Sequence, residues 1–511
     1  MIWRLVFILA LLTLPVRAGA TDWLRAETEN FVLYGDLEET EIRDLAQRLE
    51  AFRLLMQRQF PQQLEPARKH HIFLDDDDGR ITYVAGQPLS GLTRLRSEID
   101  TTFAMYDPDR DIRYRDSSVF FAAASVHLNH AFVRRLPPWL NVGLPAFFGT
   151  TILQEAEEGA QDDVFLLGVP DFTRPSDGKF SEIRFRAVLE EEKAPVGDRL
   201  YGEFYRMSRE LVRALLSNPS NDARIQNYLA IYASGGTLER AAAELGDLQA
   251  HAEEARGLYQ QAKKGRVSLR QVPVRFGEPV PVALSPMEED EVALIVPRLR
   301  RLENRDVEDV AGDLEKLTRR FPDSADVWYE YAAAEFALTE SGRYGPDLML
   351  GGYGFQNGVI VVTGRTYSDE KAWQAVNRAL ELDPALHPAL RLKAELMLAR
   401  QLRTGELDDD AGFDAIRELL APVAADAGEE PLAAAIYYQT FIEQGLDPSE
   451  RAFDQLGRAF VGNAGVSDLR YAYAVALVRR GELEAARRLL ESMLNDPARR
   501  EAAQRALDLA S

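Results

Sequence analysis

The stretch Ser125–Phe148, SVHLNHAFVRRLPPWLNVGLPAFF, decides how the first half of this chain is read. It places His127 and His130 three residues apart in an apolar run, which makes them neighbours on one face of a helix. Two prolines follow, and then a Trp-Leu-Asn-Val-Gly phrase that leads into a second apolar segment. The pattern predicts helices at about Ser118–Arg134 and Leu144–Glu158. A pair of histidines in such a setting serves either chemistry or packing, and the residues around them must decide which.

Upstream, Asn30–Asp36 (NFVLYGD) reads as a short strand. Glu38–Phe60 reads as an amphipathic helix, with Ile42, Leu45, Leu49, Phe52 and Leu55 at three- and four-residue spacing. His70–Gly79 reads as a second strand ended by an acidic turn, and Thr82–Gly86 and Thr101–Tyr106 as weaker strands. Downstream, Tyr201–Ser217 is helical, and Arg224–Gly246 holds two short helices around Gly235–Gly236. Residues 21–265 therefore read as one α+β domain. Residues 266–286, with alternating Val and Pro and no helical period, read as an extended connector or a small β element.

The first twenty residues stand apart. Arg4, an apolar run from Leu5 to Val16 and the ending Ala18-Gly19-Ala20 have the layout of a secretory signal peptide cleaved after Ala20. No later segment has 18 uninterrupted apolar residues, so stable membrane insertion after cleavage is not expected. The chain has no cysteine, which excludes disulfides, thiolate metal sites and cysteine nucleophiles. A bacterial periplasmic or secreted protein held by its core alone is expected. The formal charge of −22 repels phosphate backbones, and no basic stripe stands out, so nucleic acid is not an expected partner.

From Met287 to Ser511 the sequence is almost wholly helical and internally similar. Ser467–Pro497 has a helix of small and apolar residues, a turn at Gly481, a second helix with the phrase LEAARRLL, and a closing Asp-Pro. Lys371–Pro384 carries Ala372, Val376, Ala379 and Pro384 at regular offsets, and Asp326–Leu338 supplies a first helix with Trp328. These segments resemble tetratricopeptide repeats, whose period is about 34 residues. The resemblance implies an all-α solenoid that binds a protein or peptide partner along its surface. Trp328 and Ala372 are 44 positions apart where an uninterrupted repeat would have roughly 16. The excess is a Gly-rich insertion at about 341–369, a second candidate contact. The aromatic groups Trp328, Tyr329 and Tyr331, and Tyr437, Tyr438 and Phe441, read as repeat core.

With the strand–helix–strand lead-in and the helices that follow, the opening stretch resembles the gluzincin-like (peptidase MA-like) domains that precede tetratricopeptide repeats in exported bacterial proteins. In that family a His-Glu-x-x-His helix supplies two zinc ligands and the base, and a following helix supplies a third, Glu ligand. Carried over with His130 as the second histidine, the first histidine falls on Val126, the glutamate on His127 and the third ligand on Val142. Valine neither binds a metal nor moves a proton, so the resemblance implies an inactive domain with no cofactor. The residues retained are Trp139, Leu140, Gly143, Phe147 and Phe148, which pack. A shifted site built on His127 and His130, with His70 or His71 from a strand, is the alternative, and would make the protein an envelope hydrolase or metallopeptidase. Asp75–Gly79 has its glycine one place early for a calcium loop, and no phosphate loop or G-x-S-x-G phrase is present. The expectation is a pseudoenzyme domain joined to a protein-binding solenoid.

Overall fold

The computed structural model describes residues 22–509 apart from 62–67, 76–92, 96–99, 132–135, 155–162, 171–178, 192–197, 234–235, 267–268, 275–278, 303–306, 340–367, 405–409, 426–427, 429 and 495–499. The expected signal peptide, the end of the acidic turn, the strand expected at Thr82–Gly86 and nearly all of the Gly-rich insertion lie outside the described residues. The chain is mostly helical, with its sheets in the N-terminal half and an all-helical C-terminal half. Among the described residues no helix is long and apolar enough to cross a membrane.

Strands β1 (Leu24–Glu27), β2 (Phe31–Gly35), β3 (His70–Asp75), β4 (Thr93–Leu95) and β5 (Asp100–Met105) form most of a six-stranded sheet. β2, β3 and β5 are parallel, while β1 and β4 pair antiparallel with β2 and β5. Parallel neighbours need a crossover, and helix α1 (Glu39–Gln59) supplies it between β2 and β3. A capping box of Glu38 and Glu41 starts α1. Its Ile42, Leu45, Leu49, Phe52 and Leu55 are fully buried with Leu33, Ile72 and Leu74 of the sheet, so the spacing seen in the sequence is the packing face.

After the short α2 (Ile112–Arg115), helix α3 (Ser117–Ala131) lies on the same side as α1. Every residue from Ala122 to Leu128 is buried, and the rings of Phe120 and Phe52 stack at 4.3 Å. Buried Asp116, just before α3, takes Arg48 from the middle of α1 at 2.9 Å, which ties the start of α3 to α1. Helix α4 is Pro138–Phe148, which corrects the expected Leu144–Glu158. It starts earlier because Pro138 at the first helical turn needs no N–H partner. It stops at Gly149, and the β-branched Thr150, Thr151 and Ile152 lead into β6 (Ile152–Gln154), followed by β7 (Asp163–Leu167).

Helices α5 (Glu182–Glu190), α6 (Asp198–Leu216), α7 (Asp222–Ala233), α8 (Leu238–Ala243) and α9 (Leu248–Lys263) complete this half. α6 crosses α4 so closely that a Cβ on Gly143 would stand 2.7 Å from the Ser208 carbonyl oxygen and 2.8 Å from Val212 Cγ2. Trp139, fully buried, donates its indole N–H to the Tyr228 hydroxyl of α7 at 2.9 Å. The segment 266–286 takes the second of its two expected forms, a β element. Its β8 (Arg270–Val274) makes a three-stranded antiparallel sheet with β7 and β6, and its β9 (Ala283–Pro286) adds an edge to the main sheet beside β1. Arg43 of α1 holds the carbonyl of Val282 at 2.9 Å.

The C-terminal half begins with α10 (Glu289–Leu302), whose Ile295 and Leu299 pack with Trp23, Phe73 and Met287 on the sheet face opposite α1. Then follow α11 (Val307–Arg320), α12 (Ala325–Leu338), α13 (Glu370–Leu382), α14 (His387–Thr404), α15 (Asp410–Leu420), α16 (Pro431–Glu443), α17 (Glu450–Gly462), α18 (Ser467–Arg479), α19 (Leu483–Met493) and α20 (Arg500–Leu509). Each helix touches its sequence neighbour, and the even-numbered helices also touch one another in order from α10 to α20. The even helices thus form one layer, and the odd ones lie outside it. Tyr329–Ala334 and Pro431–Ile436 are buried without a break, as a layer covered on all sides requires. The outer α17 buries Ala452, Gln455, Leu456 and Ala459 on one stripe only. Gly481, at φ 76°, ends α18 in the left-handed conformation that favours glycine. Charge inside the inner layer is paired: Glu330 receives Arg298 and Arg301 at 2.6 and 2.7 Å, and Arg391 binds Glu430 at 2.6 Å.

Gly143→Ala is expected to lower the unfolding free energy by about 1–3 kcal/mol, because the atom it meets is backbone and cannot swing away. Urea denaturation measures this, and an unchanged midpoint would mean that α4 and α6 separate at no cost.

Candidate functional site

Four of the residues singled out in the sequence, His70, Val126, His127 and His130, gather around a cavity of about 50 Å³. It lies between α1, α3 and the leading ends of β2 and β3. Its polar walls are Asn30, Arg53, Arg68, His70, His127 and His130, and Phe31, Phe52, Met56 and Val126 belong to its apolar walls. Val142 does not line it. That side chain is 7% exposed and belongs to the main core of the domain with Trp139, Leu140 and Phe148. Two of the positions where the gluzincin resemblance would want ligands are thus buried valines, one in a cavity wall and one in solid core.

His127 is buried, and its Nε2 donates to the carbonyl oxygen of Phe60 at 3.0 Å. A carbonyl only accepts, so Nε2 carries the proton and is occupied. Burial, with a smaller push from the charge of Arg53, takes its pKa down from the ordinary 6.5 to about 4 against the opposing pull of the bond to Phe60 O. The ring is therefore neutral at physiological pH. The neighbouring polar side chains of α3 are also turned inward, Ser125 donating to Phe121 O and Asn129 to Ser125 O, both at 2.8 Å.

His130 is 4% exposed and is covered from the far half of the chain. The loop between α17 and α18 seats Gly465 against it. A Cβ at Gly465 would lie 3.2 Å from Nδ1 and 3.3 Å from Cε1 of His130. The loop is held in shape by Arg470, which donates to Ala464 O, and by Asn463, which donates to Ala459 O at 3.0 Å. Among the described residues the helical array therefore meets the α/β half at α10 on the sheet and at Gly465 on α3.

The two histidines His70 and His71 go to opposite faces of β3, as strand alternation demands. His70 lines the cavity, with its Nε2 2.7 Å from Thr102 Oγ1. His71 leaves it, with Nδ1 2.8 Å from the Tyr34 hydroxyl on the other face. So His70 joins His127 and His130 at one site and His71 does not. Arg53, Arg68 and Asn30 were not singled out in the sequence. Arg53 sits on the flank of the α1 stripe next to Phe52, and Arg68 just precedes β3, so only the crossover brings them together.

These residues do not fit a catalytic zinc. Such a site needs three protein ligands and an open position. Here Val126 and Val142 have nothing to offer, and His127, whose Nε2–H goes to a carbonyl, has only Nδ1 left to give. Among the described residues no group of three His, Asp or Glu side chains is placed to hold a metal ion. The expected aromatic core positions of the helical half are packed as read: Tyr329, Tyr331 and Tyr438 are buried, and Trp328, Tyr437 and Phe441 lean on the same cores. No family model, curated protein or solved structure matches the chain.

Two outcomes follow. A histidine held neutral in the fold, with a pKa near 4 against 6.5 when unfolded, costs nothing above pH 6.5. Stability is then lost as pH falls from 6.5 to 4, because only the unfolded chain takes the proton, by on the order of 3 kcal/mol in all. In His127→Gln, which keeps a donor for Phe60 O, that share of the acid sensitivity should vanish from denaturation curves taken across this window. An equally steep pH dependence in the variant would assign it elsewhere. Separately, Gly465→Leu should lower the melting temperature by several degrees, and His130→Ala should relieve part of that loss in the double variant. Additive effects would mean that the loop does not bear on the histidine.

Proposed function

We propose that the chain is an exported, non-catalytic interaction protein. Its N-terminal half is a gluzincin-like domain that keeps the packing of a zinc peptidase without its ligands. Its C-terminal half is a tetratricopeptide-like solenoid that binds a protein or peptide. The observation that carries the inactive reading is the burial of Val126 and Val142, which have no lone pair to give, at two of the three positions where the resemblance puts ligands. A hydrolytic site needs a base free to take a proton near working pH. An imidazole whose pKa is held near 4 does not meet that need.

The solenoid reading is supported by the two-layer order of α10–α20, in which contacts run to sequence neighbours and next-but-one neighbours, as in stacked helix pairs. The inner layer is buried all round along Tyr329–Ala334 and Pro431–Ile436, so a partner meets the outer helices and their turns. The chain's negative charge favours a partner with basic segments. The Gly-rich insertion remains a second candidate contact, lying between α12 and α13.

The test uses the full mature chain. After exposure to zinc and buffer exchange it should retain less than stoichiometric metal and leave peptide libraries uncut. One zinc per chain, lost in His130→Ala, would instead favour the hydrolase at His127 and His130. A photo-crosslinking amino acid at exposed Gln374 or Arg451 of the helical half should trap a partner in cells, and one at exposed Glu239 should not. Trapping only at Glu239 would move the binding role to the α/β half.

A further inference from the structure

The two attachments of the helical array differ in kind. At its base the chain passes from β9 straight into α10, and Met287 donates its N–H to Trp23 O at 2.9 Å. Ile295 and Leu299 lie there against Trp23, Phe73 and Met287, all buried. Parting that contact would return apolar surface to water, which opposes it in proportion to the area. At the far attachment the loop Asn463–Val466, between α17 and α18, holds its shape through its own array. Asn463 donates from Nδ2 to Ala459 O at 3.0 Å, and Ala464 gives its carbonyl to Arg470. Val466 is buried in the array's own core with Leu456 and Leu469, and its N–H closes the turn on Asn463 O at 2.9 Å. Gly465 faces α3 and brings no side chain. A Cβ there would stand 3.2 Å from His130 Nδ1 and 3.4 Å from Asn129 O.

We propose that the α17–α18 loop is a latch. The array alternates between the seated state described above and a lifted state, in which it swings on its α10 base and uncovers the His130 end of α3. The groups that meet at the latch are a glycine backbone, an imidazole edge and a carbonyl oxygen, and water accepts all three. Polar contacts of this kind between parts of one chain are the ones that open, while an apolar contact such as that of α10 stays closed. The array also supplies the travel. Each helix bears on its near neighbours, so a small rotation at each interface from α11 to α17 adds up to a large displacement at the loop. Seating covers His130, whose other side lies on the cavity wall. Whatever holds the array at one curvature therefore sets how far α3 is covered, and the coupling runs equally in reverse. The inference does not rest on the solenoid's binding role, and would stand if the helical half bound nothing.

Pulsed dipolar spin resonance on the full mature chain tests it. The chain has no cysteine, so spin labels at Leu54→Cys on α1 and Arg451→Cys on α17, both exposed positions, report one distance between the halves. The parent should hold mostly the shorter distance. Gly465→Ala and Gly465→Leu put a side chain against His130 and should raise the ratio of lifted to seated in that order, by about tenfold or more for leucine. Adding His130→Ala to Gly465→Leu makes room and should return the ratio toward that of the parent. A second pair, Leu54→Cys with Glu239→Cys, lies within the α/β half and should keep one distance in every variant. Gly465→Ala, the milder step, decides alone if the leucine variant does not fold. A parent-like distribution in the folded Gly465 variants would overturn the proposal. So would a shift in the Leu54–Glu239 pair, which would place the strain inside the α/β half and not at the latch.

Discussion

The burial of α3 on every side is the constraint from which the rest of the structure follows. A helix covered all round can keep a polar side chain only if that side chain is bonded or faces a cavity. Ser125 and Asn129 return to the carbonyls of their own helix, His127 reaches across to Phe60, and His130 meets the cavity on one side and Gly465 on the other. The helix thus serves as the common wall between α1, the sheet, α4 and the end of the helical array. Any change to its polar residues is felt in more than one of these.

The packing around α3 was largely legible. Apolar spacing identified α1 and the buried run of α3, because side-chain periodicity is a local property, while the packing role of Trp139, Gly143, Phe147 and Phe148 came from the gluzincin resemblance. The turn from α4 into β6 was not legible. Leu144–Glu158 carries enough helix-forming residues to continue the pattern, and pairing of β6 with β7 overrides that preference. The segment 266–286 could be read as connector or strand. Only the free edges of β1 and β7 decide it, and edges are a tertiary fact.

The site divides in the same way. The loss of ligands at Val126 and Val142 is visible in the letters, since no conformation gives valine a lone pair. The convergence of Arg53, Arg68 and His70 is not, since each comes from a different element and none lies in a motif. The separation of His70 from His71 follows from strand alternation once the strand is accepted. Which of the two faces the helices depends on where α1 crosses.

The double attachment of the helical array has a consequence for its length. α10 grips the sheet at one end, and the loop before α18 rests on α3 further along. The segment between these anchors is a chord of fixed span, bridged by a set number of helices. Open helical arrays gain or lose a unit freely, because only the neighbours notice. Here an added or deleted pair within α11–α17 would carry Gly465 away from His130, while helices beyond α18 could multiply without that penalty. Tolerance to change in copy number should therefore be uneven along this chain, with a closed arc followed by an open tail.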